Sequence, residues 1–356
     1  MENSAERHHR IVGLPGDYIG PEVYRSAEQA LSILAGKTGF TYELDEQLIG
    51  GAAVDATGEP LPQATLDACA NADAALLGAV GGPDWDDRPA EQRPELGLLK
   101  IRSALNLFCN LRPVVLHPSL QRFSPLKPDR LVNVDVMIVR ELTSGSYFGK
   151  KWRNENEAED VCRYTRPEIE RVTRAACDIA MKRDRRLTLV DQANVMETSR
   201  LWREVVREVV DADYAELDLE FLYVDAAAMH LINRPGDFDV MLTENMFGDI
   251  LSDEASMLCG SLGLLPSASI NEHRFGMYEP IHGSAPDIAG QGIANPYAML
   301  LSTAMMLRHS LGEDDAADAL ESAVYGCWQD EILPRDLDPK GPGTQEITDA
   351  VCERLG

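Results

Sequence analysis

The stretch FDVMLTENMFGDILSDEAS, residues 238–256, holds two periodicities side by side. The β-like run 238–242 has the length of a strand and is apolar except for Asp239. It ends on Glu244 and Asn245, after which a helical pattern places Asp249 and Asp253 four residues apart. The same unit recurs elsewhere in the chain. Run 132–139 leads into Arg140 and Glu141, run 187–190 into Asp191, Gln192 and Asn194, and run 221–224 into Asp225. Further strand-like runs lie at 11–14 and 74–77, and helical patterns at 21–34 and 167–182. The second helix is announced by Thr165 and Glu168 at capping-box spacing, with Pro167 in its first turn. This alternation predicts an α/β fold with much parallel sheet. In open sheets of that kind ligands gather beyond the carboxyl ends of strands. Four strands that each end in polar residues therefore mark one rim as a candidate site. The charged, proline-containing stretch 84–95 reads as a surface loop, and Gly-Pro-Gly at 341–343 as a break.

A chain of 356 residues is long enough for two domains and for a core that needs no disulfide or structural metal. Apolar residues make up 44% and charged residues 26%, an ordinary globular balance. The net charge of −26, without a basic run, argues against a nucleic-acid partner and against an anionic membrane surface. It also makes any local gathering of arginines informative, because such a gathering opposes the overall field. The seven cysteines are scattered, odd in number and without a CxxC pair, which reads as free thiols in a reducing compartment. No signal-peptide pattern opens the chain and no apolar run approaches ~20 residues, so a cytoplasmic protein is expected.

Four constellations bear on chemistry. Asp249 and Asp253 share one helix face, where two like charges repel unless a cation joins them, and Asp225 offers a third carboxylate. Oxygen donors of this kind suit Mg²⁺ or Mn²⁺; a solvated acidic face fits the same spacing. Arg102, Arg112 and Arg140 suit a small dicarboxylate if they converge, and unrelated salt bridges if they do not. Tyr147, after a glycine-containing turn, reads as a general acid or as a core tyrosine. The glycine-rich stretch 282–296 could wrap a nucleotide, with Asp287 toward ribose hydroxyls. A GxGxxG fingerprint after the first strand is absent.

Seven ordered segments carry a resemblance across essentially the whole chain: GDYIGPEV, RPELGLLKIR, NLRPV, IVRELTSGSYFG, VDQANVMETSRLWREVV, ENMFGDILSDEASMLCGSLGLLPSAS and YEPIHGSAPDIAGQGIANP. Together they resemble the metal-dependent β-decarboxylating dehydrogenases of the isocitrate/isopropylmalate family, most closely its isopropylmalate branch. The resemblance implies a two-domain fold with a cleft between the domains. Residues 1–107 and 260–356 would form a discontinuous cofactor-side domain, and 108–259 a dimerisation, substrate and metal domain. It implies NAD-dependent oxidative decarboxylation of 3-isopropylmalate to 2-oxoisocaproate by a homodimer with shared sites, the segments around Gln192 and Asp225 entering the neighbour's cleft. Glu95, Leu98 and Leu99 would face the isopropyl group, and Arg102, Arg112 and Arg140 would clamp carboxylates. Asp225, Asp249 and Asp253 would hold Mg²⁺ or Mn²⁺, and Tyr147 would donate the final proton. His282, Gly283, Ser284, Ala285, Asp287 and Asn295 would line the cofactor site, with Asn194 near the nicotinamide. The charge on Asp287 would oppose a 2′-phosphate and favour NAD over NADP.

Two departures from the family pattern stand out. Gln192 occupies the place of a lysine in a D-K-A-N segment, and an amide cannot take up a proton as an amine can, so a paralogue acting on another 2-hydroxy dicarboxylate and a catalytically impaired regulatory or binding subunit stand as alternatives. Tyr18 replaces the middle glycine of a Gly-Asp-Gly-Ile-Gly opening, where a phenol could crowd NAD or stack on it.

Overall fold

The computed structural model describes residues 7–356. The chain divides into two compact units, Met1–Leu107 with Ser261–Gly356, and Phe108–Gly260. The first unit opens with β1 (His8–Gly16), α1 (Gly20–Thr38), β2 (Thr41–Glu46), α2 (Gly50–Thr57), α3 (Gln63–Ala70), β3 (Ala74–Ala79) and α4 (Pro94–Ala104). The second contains β4 (Cys109–Val115), β5 (Asp135–Glu141), the short pair β6 (Lys151–Arg153) and β7 (Ala158–Asp160), then α5 (Arg166–Met181), β8 (Arg186–Asp191), α6 (Glu197–Asp213), β9 (Asp218–Tyr223), α7 (Val224–Asn233), β10 (Val240–Thr243) and α8 (Asn245–Ser256). The chain returns to the first unit for β11 (Pro266–Ile270), β12 (Gly276–Pro280), α9 (Tyr297–Met306), α10 (Asp314–Gln329) and α11 (Thr344–Leu355).

Each unit is built on five strands, four parallel and one antiparallel. In the first the order is β2-β1-β3-β12-β11, with β11 antiparallel to β12. In the second it is β4-β5-β10-β8-β9, with β4 antiparallel to β5. The α/β expectation holds, and the central parallel strands β3 and β10 are buried at every position, whereas the parallel edge strands β2 and β9 alternate with exposed residues. Buried on both faces, such strands lose the alternation of a half-exposed sheet. Helix α1 covers its sheet with Val23, Tyr24, Ala27, Ala30, Leu31 and Leu34, and stops at Gly39 in the left-handed region (φ 79°). Helix α5 begins with the capping box formed by Thr165 and Glu168. All seven cysteines are free.

Several boundaries differ from the sequence reading, among them the run 221–224, where β9 spans Asp218–Tyr223 and Val224 already opens α7. Strand β5 starts at Asp135 rather than Val132, because Asn133 turns left-handed (φ 57°) and leaves Val132 exposed. Strand β10 starts at Val240, since Pro235–Asp237 form a helical turn and Asp239 anchors Arg183. The stretch 84–95 is only partly loop: it holds two short helical turns, and α4 already begins at Pro94. No helix among the described residues is long and apolar enough to cross a membrane.

Candidate active site

The register of the second sheet aligns its functional residues. Thr243 of β10 lies beside Arg140 of β5 on one side and Val190 of β8 on the other, and Asp191 pairs with Tyr223 of β9. The carboxyl ends of four parallel strands therefore reach one rim, as the sequence implied. Antiparallel β4 starts there too, with Asn110 opposite Arg140 and Arg112 two residues further on.

Helix α8 lies over this rim and is held close by Gly248. A Cβ there would sit 2.3 Å from Thr243 Oγ1 and 2.7 Å from Arg140 Cγ, so only glycine permits the approach. Arg140, almost fully buried, donates from Nη1 to Asp249 Oδ1 (2.5 Å) and from Nε and Nη2 to Asn245 Oδ1 (3.0 and 2.7 Å). Arg112 donates to Ser252 Oγ (2.6 Å), Asp253 Oδ1 (3.3 Å) and Asn110 Oδ1 (2.9 Å), and its Nη2 lies 3.8 Å from Asp249 Oδ1. The Tyr147 hydroxyl donates to Asp249 Oδ2 (2.9 Å), with the Arg140 guanidinium 5.9 Å from its ring centre. Five sequence candidates, Arg112, Arg140, Tyr147, Asp249 and Asp253, thus form one network.

The electrostatics of this network follow from its geometry. Burial, and then the bond to Asp249, raise the Tyr147 pKa above its ordinary value, so the phenol keeps its proton and can give it up only to a strong base. Burial also raises the Asp253 carboxyl, partly offset by Arg112 and reinforced by Asp249. Two carboxylates facing two guanidiniums carry donors and charge suited to exchanging ion pairs with an incoming dianion and a hard cation. Asp225 stands apart: it is exposed in the first turn of α7, and its Oδ1 accepts from Ala226 N. Among the described residues no group of three or more Asp, Glu, His or Cys is gathered to hold a metal.

Gln192 follows β8 in a tightly fixed turn. Its N–H donates to Ser199 Oγ (3.0 Å), and its carbonyl accepts from Val195 N and Met196 N. Its side-chain Oε1 is buried with no partner. The preceding Asp191 is committed elsewhere: Arg203 grips both its oxygens (2.5 and 3.0 Å), and Oδ1 also accepts from Ala193 N. Arg203 is itself stacked on Phe221 and Tyr223. Asn194 is exposed, and its carbonyl accepts from Arg200.

The remaining candidates lie in the first unit. Glu95, Leu98, Leu99 and Arg102 share one face of α4, spaced over two turns. Leu98 packs in part on the core. Arg102 pairs with Glu279 of β12 (2.6 Å), and its Nε is buried without a partner. In the glycine-rich stretch, His282 Nδ1 bonds the Gly283 carbonyl (2.9 Å), while Nε2 is buried and unpaired. Burial lowers the His282 pKa, so the ring is neutral. The space where Gly283 would carry a Cβ is open, Ala285 is left-handed (φ 41°), and Asp287 is exposed. Ser284 donates to the Gly81 carbonyl (2.7 Å). Asn295 is turned into the fold, its Oδ1 accepting from Tyr297 N and its Nδ2 donating to Asp336 (3.2 Å). Tyr18 sits edge-on against Trp85, with ring centres 5.6 Å apart.

Sequence reasoning passed over several partners. Asn110 was legible in principle, two residues before Arg112 on the same strand face. Asn245 had been noted only as part of a polar strand end. Glu279, Ser252 and Asp336 carried no local signal, because their roles arise from contacts distant in the chain.

The isocitrate/isopropylmalate dehydrogenase family model matches residues 10–351. Among similar proteins, 3-isopropylmalate dehydrogenase of Rhodopirellula baltica is 51% identical over 353 residues, covering 97% of this chain and 98% of the relative. That of Staphylococcus saprophyticus is 52% identical over 348 residues, covering 98% and 99%. The crystal structure of isocitrate dehydrogenase from Methylococcus capsulatus superposes with a TM-score of 0.86 at 36% identity, over 98% of this chain and 99% of that one. A β-decarboxylating dehydrogenase from Thermococcus kodakarensis gives 0.80 at 32%, over 98% and 96%. With a family match over nearly its whole length, and with Arg112 and Arg140 from strands, Asp249 and Asp253 from α8 and Tyr147 from a turn joined in one network, the chain belongs to the isocitrate/isopropylmalate dehydrogenase family.

Proposed function

We propose that the chain oxidises and decarboxylates 3-isopropylmalate to 2-oxoisocaproate, using NAD and Mg²⁺ or Mn²⁺, as a homodimer. The observation that carries this reading is the network in which Asp249 joins Arg140, Arg112 and Tyr147. Two guanidinium forks, a carboxylate with oxygen donors for a metal and a protonated phenol in one group of side chains support this reading.

The donor chemistry fits a hard cation: Asp249 and Asp253 offer only oxygens, on one helix face. It fits a nucleotide as well, through the unpaired His282 Nε2 and the open space at Gly283. When bound, the metal supplies a Lewis acid for the C2 oxygen, and the nicotinamide accepts the C2 hydride. The chain's own residues bind, orient and protonate, while the C2 hydroxyl proton passes to water, because Gln192 is an amide and cannot take it. Arg112 and Arg140 hold the carboxylates in register. Leu98 and Leu99 offer an apolar face that suits an alkyl group and would leave a third carboxylate without solvation. As the bond from C3 to the departing CO₂ breaks, its electron pair shifts toward C2–C3, and Tyr147 delivers a proton to C3. Asp287 opposes a 2′-phosphate by its charge.

The homodimer is supported by an exposed apolar face. Met229 and Ile232 of α7 are 62% and 51% exposed, and Ile250 of adjacent α8 is 60% exposed. Asp225 lies on the same stripe as Met229 and Ile232, at helical spacing, and Asp253 on that of Ile250. Pairing two copies through these helices would cover the apolar groups and bring Asp225 of a second copy toward the carboxylates of α8. The direct test is NADH formation from 3-isopropylmalate with Mg²⁺, using isocitrate and malate as controls. Turnover of isocitrate in preference to 3-isopropylmalate would overturn the substrate assignment.

A further inference from the structure

Residues Gly81 and Gly82 form a turn in the first unit where both backbone polar groups of Gly81 are met by other segments and side chains fill the space beside both glycines. Gly81 N donates to Asp17 Oδ2 (2.8 Å), and the Gly81 carbonyl accepts from Ser284 Oγ. Asp17, buried, also accepts from Gly51 N and Ala52 N at the start of α2, which ties that helix to the same point. Where a Cβ of Gly81 would stand, Glu95 Oε1 of α4 lies 2.5 Å away; where a Cβ of Gly82 would stand, the Tyr18 ring lies 2.1 Å away. The turn is therefore gripped between the glycine-rich nucleotide stretch, the first turn of α4 and one aromatic ring.

Both glycines have φ values that other residues rarely adopt (100° and 145°), so this turn has little stiffness of its own. Hydrogen bonds fix Gly81. Gly82 is held mainly by the Tyr18 ring. Tyr18 is itself left-handed (φ 50°), a conformation that costs a residue bearing a Cβ and persists only where its surroundings enforce it. The enforcement is visible. The ring stands T-shaped on Trp85, which donates from Nε1 to Asp55 (3.1 Å) and fills the space beside Gly51. The Tyr18 hydroxyl meets only Asp84, through its N–H at 3.4 Å and its side chain at the surface, whereas the ring fills the space at Gly82 and stands on Trp85, so the ring does most of the holding.

We propose that Tyr18 is a positioning residue that fixes α4, and with it Glu95, Leu98 and Leu99, by wedging the Gly81–Gly82 turn. Its effect on the reaction is on alkyl discrimination, since the turn leads to the helix that faces the alkyl group. The proposal rests on the reading of α4 given above, and the experiment separates the two. Tyr18→Gly removes the wedge yet suits the left-handed backbone, so the fold is kept; Tyr18→Phe keeps the ring. Two quantities are read on the full chain: hydrogen–deuterium exchange over residues 81–97, and the ratio of kcat/KM for 3-isopropylmalate over 3-methylmalate.

In Tyr18→Gly, exchange should quicken by roughly threefold or more both at the turn and in the first turn of α4, as local opening becomes easier. The substrate ratio should fall by roughly threefold or more, within the range that alkyl-pocket contacts command. KM for NAD should stay within about twofold, and Tyr18→Phe should match the parent in every reading. Unchanged exchange in α4 overturns the wedge. Changed exchange with an unchanged substrate ratio overturns the positioning role. A large rise in KM for NAD with the ratio intact makes Tyr18 a cofactor contact instead. If the parent turns over neither alkylmalate, the proposed substrate falls, and the exchange result alone still decides whether Tyr18 holds α4.

Discussion

Replacing Gln192 with lysine should raise kcat by roughly 10²-fold or more while leaving KM for 3-isopropylmalate within a few-fold. The turn that carries residue 192 is fixed by its backbone, through Ser199 Oγ on its N–H and two amides on its carbonyl, so the exchange changes a side chain and not a loop. The groups proposed to bind substrate, Arg112, Arg140, Asp249 and Asp253, make their contacts without Gln192. What is missing is a group that can take the C2 hydroxyl proton. Asp191 is poorly placed to substitute, since both its oxygens are gripped by Arg203 and one also by Ala193 N. A general base contributes ~10²–10⁴ in rate, or about 3–5 kcal/mol of barrier. The buried, unpaired Oε1 of Gln192 adds a small ground-state penalty that the variant removes. Partial burial should lower the lysine pKa, so the gain should grow as pH rises through that value. The assay is steady-state NADH formation across pH, with both forms at saturating NAD and Mg²⁺. An unchanged kcat, or a change confined to KM, would refute the assignment of residue 192 to the proton path.

Asp249→Asn should weaken Mn²⁺ binding, measured by calorimetry with substrate present, by more than the ~10–100-fold typical of outer-shell partners; unchanged binding would remove the metal assignment. Because burial and Asp249 raise the Tyr147 phenol, the alkaline loss of kcat should lie above the ordinary range of a phenol, and Tyr147→Phe should lower kcat by roughly 10²-fold with KM little changed. NAD should bind more tightly than NADP in a fluorescence titration, and Asp287→Ser should narrow the gap by removing a charge that opposes the 2′-phosphate; equal affinities in the parent would show that Asp287 does not face the ribose. Ile250→Asp should shift sedimentation from dimer to monomer and abolish turnover together, since a charge on an apolar face opposes its burial; a monomeric parent would remove the shared-site reading.

How much of this was legible in the sequence depends on the kind of contact involved. Strands β8 and β10 were readable because each is a short apolar run broken by polar residues at its end, and α5 because its capping box is local. The rim was readable for a related reason: parallel strands must end on one side, so Arg140, Asp191 and Asn245 could be placed at one rim without knowing their partners, whereas Asp225 stands apart on α7. The hairpin β6–β7 was invisible, since all six of its residues are exposed and no apolar alternation marks them. The start of β5 was misplaced because the left-handed Asn133 leaves no composition signal. Pairings across more than a hundred residues, Arg140 with Asp249 and Arg102 with Glu279, could be guessed as charges but not as couples.

The same distinction bears on the two departures from the family pattern. Sequence alone leaves Tyr18 and Gln192 looking alike, each a foreign side chain at a place where the family differs. The structure separates them by what surrounds each. Tyr18 is half-buried and engaged by Trp85, Gly82 and Asp84, and its unfavourable backbone angle is held by that packing. Gln192 has a fixed backbone and an unpaired buried oxygen. A side chain absorbed by its neighbours acts through them, which directs attention to the helix that Tyr18 braces. A side chain left with an unmet hydrogen bond in a well-held turn points to what is missing from this chain alone: a ligand, or the second copy to which its segment is proposed to turn.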